Sequence, residues 1–286
     1  MASKKILACT DGSAPYAASV YDHAAWAAKR LDASVEILHV LDHERKNAPT
    51  DLSGSIGMDA RDELLAQLAE LDSVQAKVAQ KRARLILDDA HRHLSSAGVS
   101  EVHLTQRHGT VVETVDEFED AADLIVIGKR GENHDVASEH LGANLERVVR
   151  ASRRPVLVAS RAFHPIETVL IAFDDSPSAR RAVETIGRSP LLKGLSCKVL
   201  MIGSETEDRR TQLTWATDTL KANDIQAESE LLQGDADDVI AATVRDERIS
   251  LMVMGAYGHS RIRSFIVGST TTAMIRTCKI PLLMVR

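Results

Sequence analysis

Residues Gly255 to Thr270 read GAYGHSRIRSFIVGST. The apolar run LMVM at 251–254 leads into two glycines three apart; after nine intervening residues Gly258 is followed by Gly268, Ser269 and Thr270, at the start of a helical pattern at Ser269–Thr277. A chain that leaves a strand through glycine and enters a helix through glycine and hydroxyl residues suits close approach by an anion. The helix N-terminus offers unpaired N–H groups and about half a positive charge. Gly268 has no side chain to hold a phosphate away, the hydroxyls of Ser269 and Thr270 add donors, and Arg261 and Arg263 add charge. Taken singly, the same residues read as a strand end, a turn and ordinary helix caps. Their placement around one crevice favours binding, because a cap alone does not need Gly268.

The crevice follows from an internal repeat, the first thing to look for in a chain of this length. KKILACTDGSAPYAASV from Lys4 resembles TVLIAFDDSPSARRAV from Thr168, ADLIVIGKRG resembles ISLMVMGAYG, and ASRRPVLVAS resembles TCKIPLLMVR, in the same order. Asp11 and Asp174 are 163 residues apart but Gly128 and Gly255 only 127, so the first copy carries 36 extra residues between those landmarks. They fall between its second and third strands, in Asp42 to Leu87, where ERKNAPTDLSGSIG is followed by a long helical stretch. Leu64, Leu68, Leu71, Val78 and Leu85 mark one face of it, which is expected to pack on its own sheet, with a partner or dimer contact as the alternative. Pro165 in SRAFHPIE interrupts both periodicities, placing a first domain at 1–161 and a second at 165–286.

In the second copy, apolar runs at Val169–Phe173, Lys198–Ile202, Glu228–Leu232, Leu251–Met254 and Leu282–Val285 alternate with helical patterns at Ser178–Arg188, Arg209–Asn223 and Asp235–Glu247. Strands without strict polar alternation indicate a sheet covered on both faces, hence parallel strands joined by right-handed crossovers. Each half is expected to be a doubly wound α/β domain with strand order 3-2-1-4-5, whose ligand crevice lies where the winding reverses, between the first and fourth strands. Asp174 ends strand one there, as acceptor for an amino group or a ribose hydroxyl or as a cap for the next helix, and Gly255 ends strand four.

An Asp after strand one, then G-x-x-G, nine residues and G-[ST] after strand four, resembles the ATP-binding pattern of the universal stress protein family. The repeat extends the resemblance to nearly the whole chain, as in a tandem two-domain bacterial member with adenine nucleotide alpha hydrolase-like domains. The resemblance implies adenine near Asp174 and Ile202, ribose near Gly255, and phosphates on Gly258, Gly268, Ser269 and Thr270, with ATP as ligand and Mg2+ as its companion ion. It also implies two halves packed through their fifth strands as an intramolecular pseudo-dimer. The first copy departs from the pattern. Asp11, Val40, Gly128 and Gly131 match, but ten residues precede Gly142, Ala143 replaces the hydroxyl residue, and Glu132, Asp135 and Glu139 oppose phosphate. Asn144 partly replaces the missing donor, and a degenerate half that completes the fold is the expected role.

The remaining chemistry is sparse. A net charge of −6 argues against a dedicated nucleic-acid binder, and no apolar stretch has the length of a membrane span. Cys9, Cys197 and Cys278 stand far apart, which fits a reducing cytoplasm and no zinc site. His91 and His93 are two apart and would face apart on a helix, so no metal site is expected. CTDGS places Cys9, and the second copy Ala172, where a phosphatase would need its nucleophilic Asp. No P-loop or dinucleotide fingerprint is present, and Ser13 and Ser176 need only be caps. His259 in the loop is not fixed as a base, so no catalytic residue is identified; binding, with at most slow ATP hydrolysis, is the expected activity. The rival readings are an interaction scaffold without nucleotide, and a carrier of another phosphorylated or apolar metabolite in the first-half pocket. Homodimerisation through the long helix is a further expectation.

Overall fold

A computed structural model of the chain describes residues 4–13, 16–41, 58–129, 143–256 and 278–286. The first half runs β1 (Lys4–Cys9), α1 (Tyr16–Leu31), β2 (Ala33–Leu41), α2 (Met58–Ser96), β3 (Val102–His108), α3 (Val111–Glu119), β4 (Leu124–Gly128), α4 (Ala143–Ala151) and β5 (Val156–Ala159). The second runs β6 (Thr168–Ala172), α5 (Pro177–Arg188), a 3-10 turn (Pro190–Leu192), β7 (Ser196–Ile202), α6 (Glu207–Lys221), β8 (Gln226–Leu232), α7 (Ala236–Asp246), β9 (Leu251–Gly255) and β10 (Leu282–Val285). The apolar runs read from the sequence are the strands, with ends that differ by at most two residues. Phe173 lies just past β6, and the helix expected at Ser178 begins at Pro177, capped by Ser176. The helical pattern at Ser269–Thr277 lies outside the described residues.

Among the described residues ten strands form one sheet, ordered β3-β2-β1-β4-β5-β10-β9-β6-β7-β8. Each half contributes a parallel 3-2-1-4-5 unit, and the two meet where β5 and β10 pair antiparallel, Leu283 opposite Leu157. β1, β4, β6 and β9 are buried nearly end to end, as a sheet covered on both faces requires. One face packs α1, α2, α5 and α6 through Tyr21, Leu94, Val183 and Leu220; the other packs α3, α4 and α7 through Val115, Val148 and Ile240. Both apolar cores run through the two halves without a break.

Side chains lock the seam. Arg30 of α1 donates from Nε to the carbonyl of Leu191 in the 3-10 turn of the other half. Lys129, just past β4, donates from Nζ to the carbonyls of Cys278 and Ile280, the latter at 3.2 Å. Burial lowers its pKa from 10.5 to about 8. Ser19 of α1 donates from Oγ to Ser160 O at 2.7 Å, and His23 packs edge-on against Phe163 at 5.0 Å, so the segment joining the halves is pinned to α1.

The long helix departs from expectation. The stripe expected to face the sheet is exposed: Leu68 46%, Leu71 56%, Val78 62% and Leu85 61%. The core is met instead by Ala83, Leu87, Ala90 and Leu94, from the other side of the helix. Alanines at 83 and 90 let α2 come close to the alanine-rich α1, whose Ala24, Ala25, Ala27 and Ala28 are buried.

Candidate functional site

Strand register brings the described candidate residues together. Ala172 of β6 is opposite Leu200 of β7 and Met254 of β9. Asp174, Ile202 and Gly255 therefore stand within one or two residues past that level, at the carboxyl ends of three adjacent strands where the winding reverses. The first half repeats the geometry, with Cys9 opposite Leu38 and Ile127, so that Asp11, Val40 and Gly128 hold the matching positions. Gly258, Gly268, Ser269 and Thr270, like Arg261, Arg263 and His259, lie outside the described residues, as do Gly131 and Gly142 of the first half. Asn144 sits in the first turn of α4, half-buried.

Local chemistry shapes the loop after strand one in the same way twice. Asp174 Oδ1 accepts from Ser176 N at 3.0 Å, and Asp11 Oδ1 accepts from Ser13 N at 2.9 Å and from Ser13 Oγ at 2.7 Å. These are Asx turns, in which a carboxylate replaces a backbone acceptor two residues ahead of a helix. Asp174 is thus not the helix cap; Ser176 is, accepting from Ala179 N at 3.2 Å, with Pro177 pre-set for the first helical position. Asp174 is exposed and keeps a second oxygen to receive a ligand donor. The turn's next residue is left-handed in both copies, Gly12 at φ 74° and Asp175 at φ 60°. Only the first copy uses glycine there, the residue that adopts this conformation without cost.

Gly255 has a packing role of its own. A Cβ built on it would stand 2.6 Å from Ala179 N and from Ser178 C, and 2.8 Å from Ser178 Oγ. The end of β9 and the first turn of α5 touch at backbone distance, so glycine is required there with or without a ligand.

Two cations that the sequence did not single out lie beside these residues. The guanidinium of Arg209 lies over Gly203, the residue after Ile202, donating from Nη1 to Ser204 Oγ at 2.7 Å. Arg180 pairs with Asp175 at 2.6 Å and stacks over Trp215 at 4.3 Å, while Trp215 lies against Phe173 with ring centroids 6.0 Å apart. A signal for Arg209 is present in the sequence: it is a cation in the first turn of a helix, where the dipole favours anions.

The first-half crevice is built differently. A Cβ on Gly12 would meet Ile86 of α2 at 2.4 Å, so the inserted helix rests on the loop after strand one. The position matching Ala256 is Lys129, which reaches the second half's main chain. No cluster of metal-binding side chains occurs among the described residues, and His93 Nε2 pairs instead with Asp22 Oδ1 at 2.7 Å. Cys9 and Cys197 are buried with thiols pushed up to about 12 by desolvation, which makes them inert structural groups. Among the described residues no helix is long and apolar enough to cross a membrane.

Two doubly wound units on one sheet, each with an Asx turn and a strand-end glycine at its winding reversal, define a tandem doubly wound α/β protein. The chain belongs to the universal stress protein family, which it matches over residues 2–160 and 198–286. It is 37% identical over 287 residues to Universal stress protein Slr1230 of Synechocystis sp., covering 99% of this chain and all of that protein. Among solved structures, a universal stress protein from Archaeoglobus fulgidus superposes with TM-score 0.68 at 21% identity, covering 99% of this chain and 96% of the other. A functionally unknown protein, PA1789, from Pseudomonas aeruginosa superposes with TM-score 0.59 at 14% identity, covering 99% and 92%. These two likenesses bear on the fold alone. Asp174 falls between the two matched stretches, and its equivalence to Asp11 rests on register and on the shared Asx turn.

Proposed function

We propose that the chain is an ATP-binding stress-response protein that acts by binding and signalling, with the nucleotide in the second-half crevice. The observation that carries this reading is the grouping of Asp174, Ile202 and Gly255 at the ends of β6, β7 and β9, Gly255 being the first residue of the sequence motif GAYGHSRIRSFIVGST. The exposed carboxylate of Asp174 suits the adenine amino group or a ribose hydroxyl, and Ile202 offers an apolar edge to the base. The phosphates are assigned to Gly258, Gly268, Ser269 and Thr270, with Mg2+ as their counterion. Arg209, folded over the end of β7, adds positive charge to the rim. No residue is assigned as a general base, so fast turnover is not part of the proposal. The first half is read as the degenerate partner: Ile86 rests on its Gly12, Ala143 stands where the second copy has the hydroxyl of Ser269, and Glu132, Asp135 and Glu139 oppose phosphate.

Titration of the purified chain with labelled ATP, with and without Mg2+, is expected to saturate at one site per chain. Gly268→Val, which sets a branched side chain where the phosphate would lie, is expected to remove saturable binding while leaving the thermal melt unchanged. Absence of saturable binding in the parent protein, or equal binding by the variant, overturns the assignment. A non-nucleotide metabolite retained through purification and identified by mass spectrometry would favour the carrier reading instead.

A further inference from the structure

Leu213, Ala216 and Leu220 form the buried stripe of α6, and Arg209, four residues before Leu213, extends that stripe one turn towards the end of β7. There its guanidinium takes the place that a side chain on Gly203 would fill. A Cβ built on Gly203 would stand 2.6 Å from Cζ, 2.8 Å from Nη1 and 2.9 Å from Nη2. Three nearly equal distances mean that the planar group lies face-on to the main chain, an approach only glycine permits. Nη1 donates to Ser204 Oγ at 2.7 Å, whereas Nη2 and Nε have no hydrogen-bond partner among the described residues.

Among the described residues the fold makes no use of this charge. No carboxylate there pairs with Arg209: Glu205 is taken by Arg210 and Asp175 by Arg180. The first turn of a helix disfavours a cation, and Glu207 and Asp208 are the residues that suit the dipole of α6. The first half folds without the pair. Its α2 buries Ala83, Leu87, Ala90 and Leu94 at the spacing of Arg209, Leu213, Ala216 and Leu220, and where Gly203 follows Ile202, Leu41 follows Val40. Glycine and arginine thus occur together at these positions only in the half that carries GAYGHSRIRSFIVGST.

Position in the sheet separates Arg209 from the phosphates. β6 lies between β7 and β9, the strand that leads to the phosphate motif, so the end of β7 is two strand spacings, about 10 Å, from that of β9. Asp174 leaves β6, the neighbour of β7, at the level of Ile202. A carboxylate only accepts hydrogen bonds and a guanidinium only donates them. Adenine offers the matching pair along one edge, an amino donor flanked by the ring acceptors N1 and N7, whereas guanine sets an oxygen where that amino group stands. We infer that Arg209 is a specificity residue of the second-half crevice, donating from its free edge to N1 or N7 of an adenine whose amino group is held by Asp174. The inference rests on the nucleotide reading above and adds to it the residue that reads the base.

The test compares ATP, 1-deaza-ATP and 7-deaza-ATP, each analogue lacking one of the two ring acceptors, on the full chain and on Arg209→Ala. The variant is expected to bind ATP about 10- to 100-fold more weakly, the range for a hydrogen bond to a charged group. Its affinity for inorganic tripolyphosphate, which has no base, is expected to match that of the parent protein. One of the two deaza nucleotides is expected to bind the parent more weakly than ATP by the factor the variant loses on ATP, and to bind the variant as ATP does. A merely structural role of Arg209 would not produce that equality. Equal ATP affinity of parent and variant, a parallel loss of tripolyphosphate affinity, or deaza nucleotides that both bind the parent as ATP does each overturn the inference while leaving nucleotide binding in place. A parent protein that binds none of these ligands overturns the nucleotide reading and this inference with it.

Discussion

Gly255→Ala is expected to lower the unfolding free energy by about 3 kcal/mol, the upper range for forcing extra atoms into a packed interior. The added methyl carbon would stand 2.6 Å from the amide nitrogen of Ala179 and from the carbonyl carbon of Ser178. Both are main-chain atoms in the first turn of α5, so no side chain can swing aside. Relief requires β9 and α5 to separate, and α5 is held by the Ser176 cap and by Ala179, Ala182, Val183 and Ile186 in the core. Losing the cap alone costs about 1 kcal/mol. Urea unfolding of the parent and variant without added nucleotide isolates this effect from any ligand role. A difference below the scatter of ordinary surface substitutions, roughly 0.5 kcal/mol, would show that the close approach of β9 and α5 is not real.

The second large effect is a loss of stability in mild acid. His23 is fully buried; its Nδ1–H donates to Ser19 O at 2.6 Å, and its Nε2 has no hydrogen-bond partner among the described residues. Desolvation dominates and lowers its pKa from 6.5 to about 4, with Lys129 and His164 adding repulsion against the opposing pull of Ser19 O and Asp22. The sign follows directly. Between the two values the unfolded chain holds a proton that the folded one refuses, so stability is complete above pH 6.5 and falls as pH drops towards 4. A shift of this size corresponds to about 3 kcal/mol by the acid end of the window. Chemical unfolding across this range, compared with His23→Leu, checks it. The variant is expected to show a flatter profile, since it carries no titrating group at this position. Parallel pH profiles would exclude His23 as the source. Because His23 lies against Phe163 and Ser19 holds Ser160, the joining segment is expected to loosen first.

Much of this architecture is legible in the sequence because it is written twice. Matching Asp11 to Asp174 and Gly128 to Gly255 fixes where strands one and four end, and parallel register then places Val40 and Ile202 beside them. The faces of α2 were not legible. Leucine weighs more than alanine in any hydrophobic pattern, yet the core took the stripe containing Ala83 and Ala90, since small residues allow α2 to lie close on α1. Distant partners were hidden for a different reason. Lys129 looks like a loop cation in GKRG, but its acceptors are main-chain carbonyls 149 and 151 residues away, which carry no sequence signature. The packing demand on Gly255 was equally invisible, because a strand-end glycine reads alike whether ligand or helix comes close.

The antiparallel pairing of β5 with β10 has a consequence for concentration dependence. Joined by one short stretch from Ser160 to Glu167, the halves meet as a first-order event, and the pairing survives any dilution the chain itself survives. The reversal of direction at that pair also points the strand ends of β4 and β9 opposite ways. The two mouths therefore open at opposite rims of the molecule, and a ligand in one has no direct sight of the other.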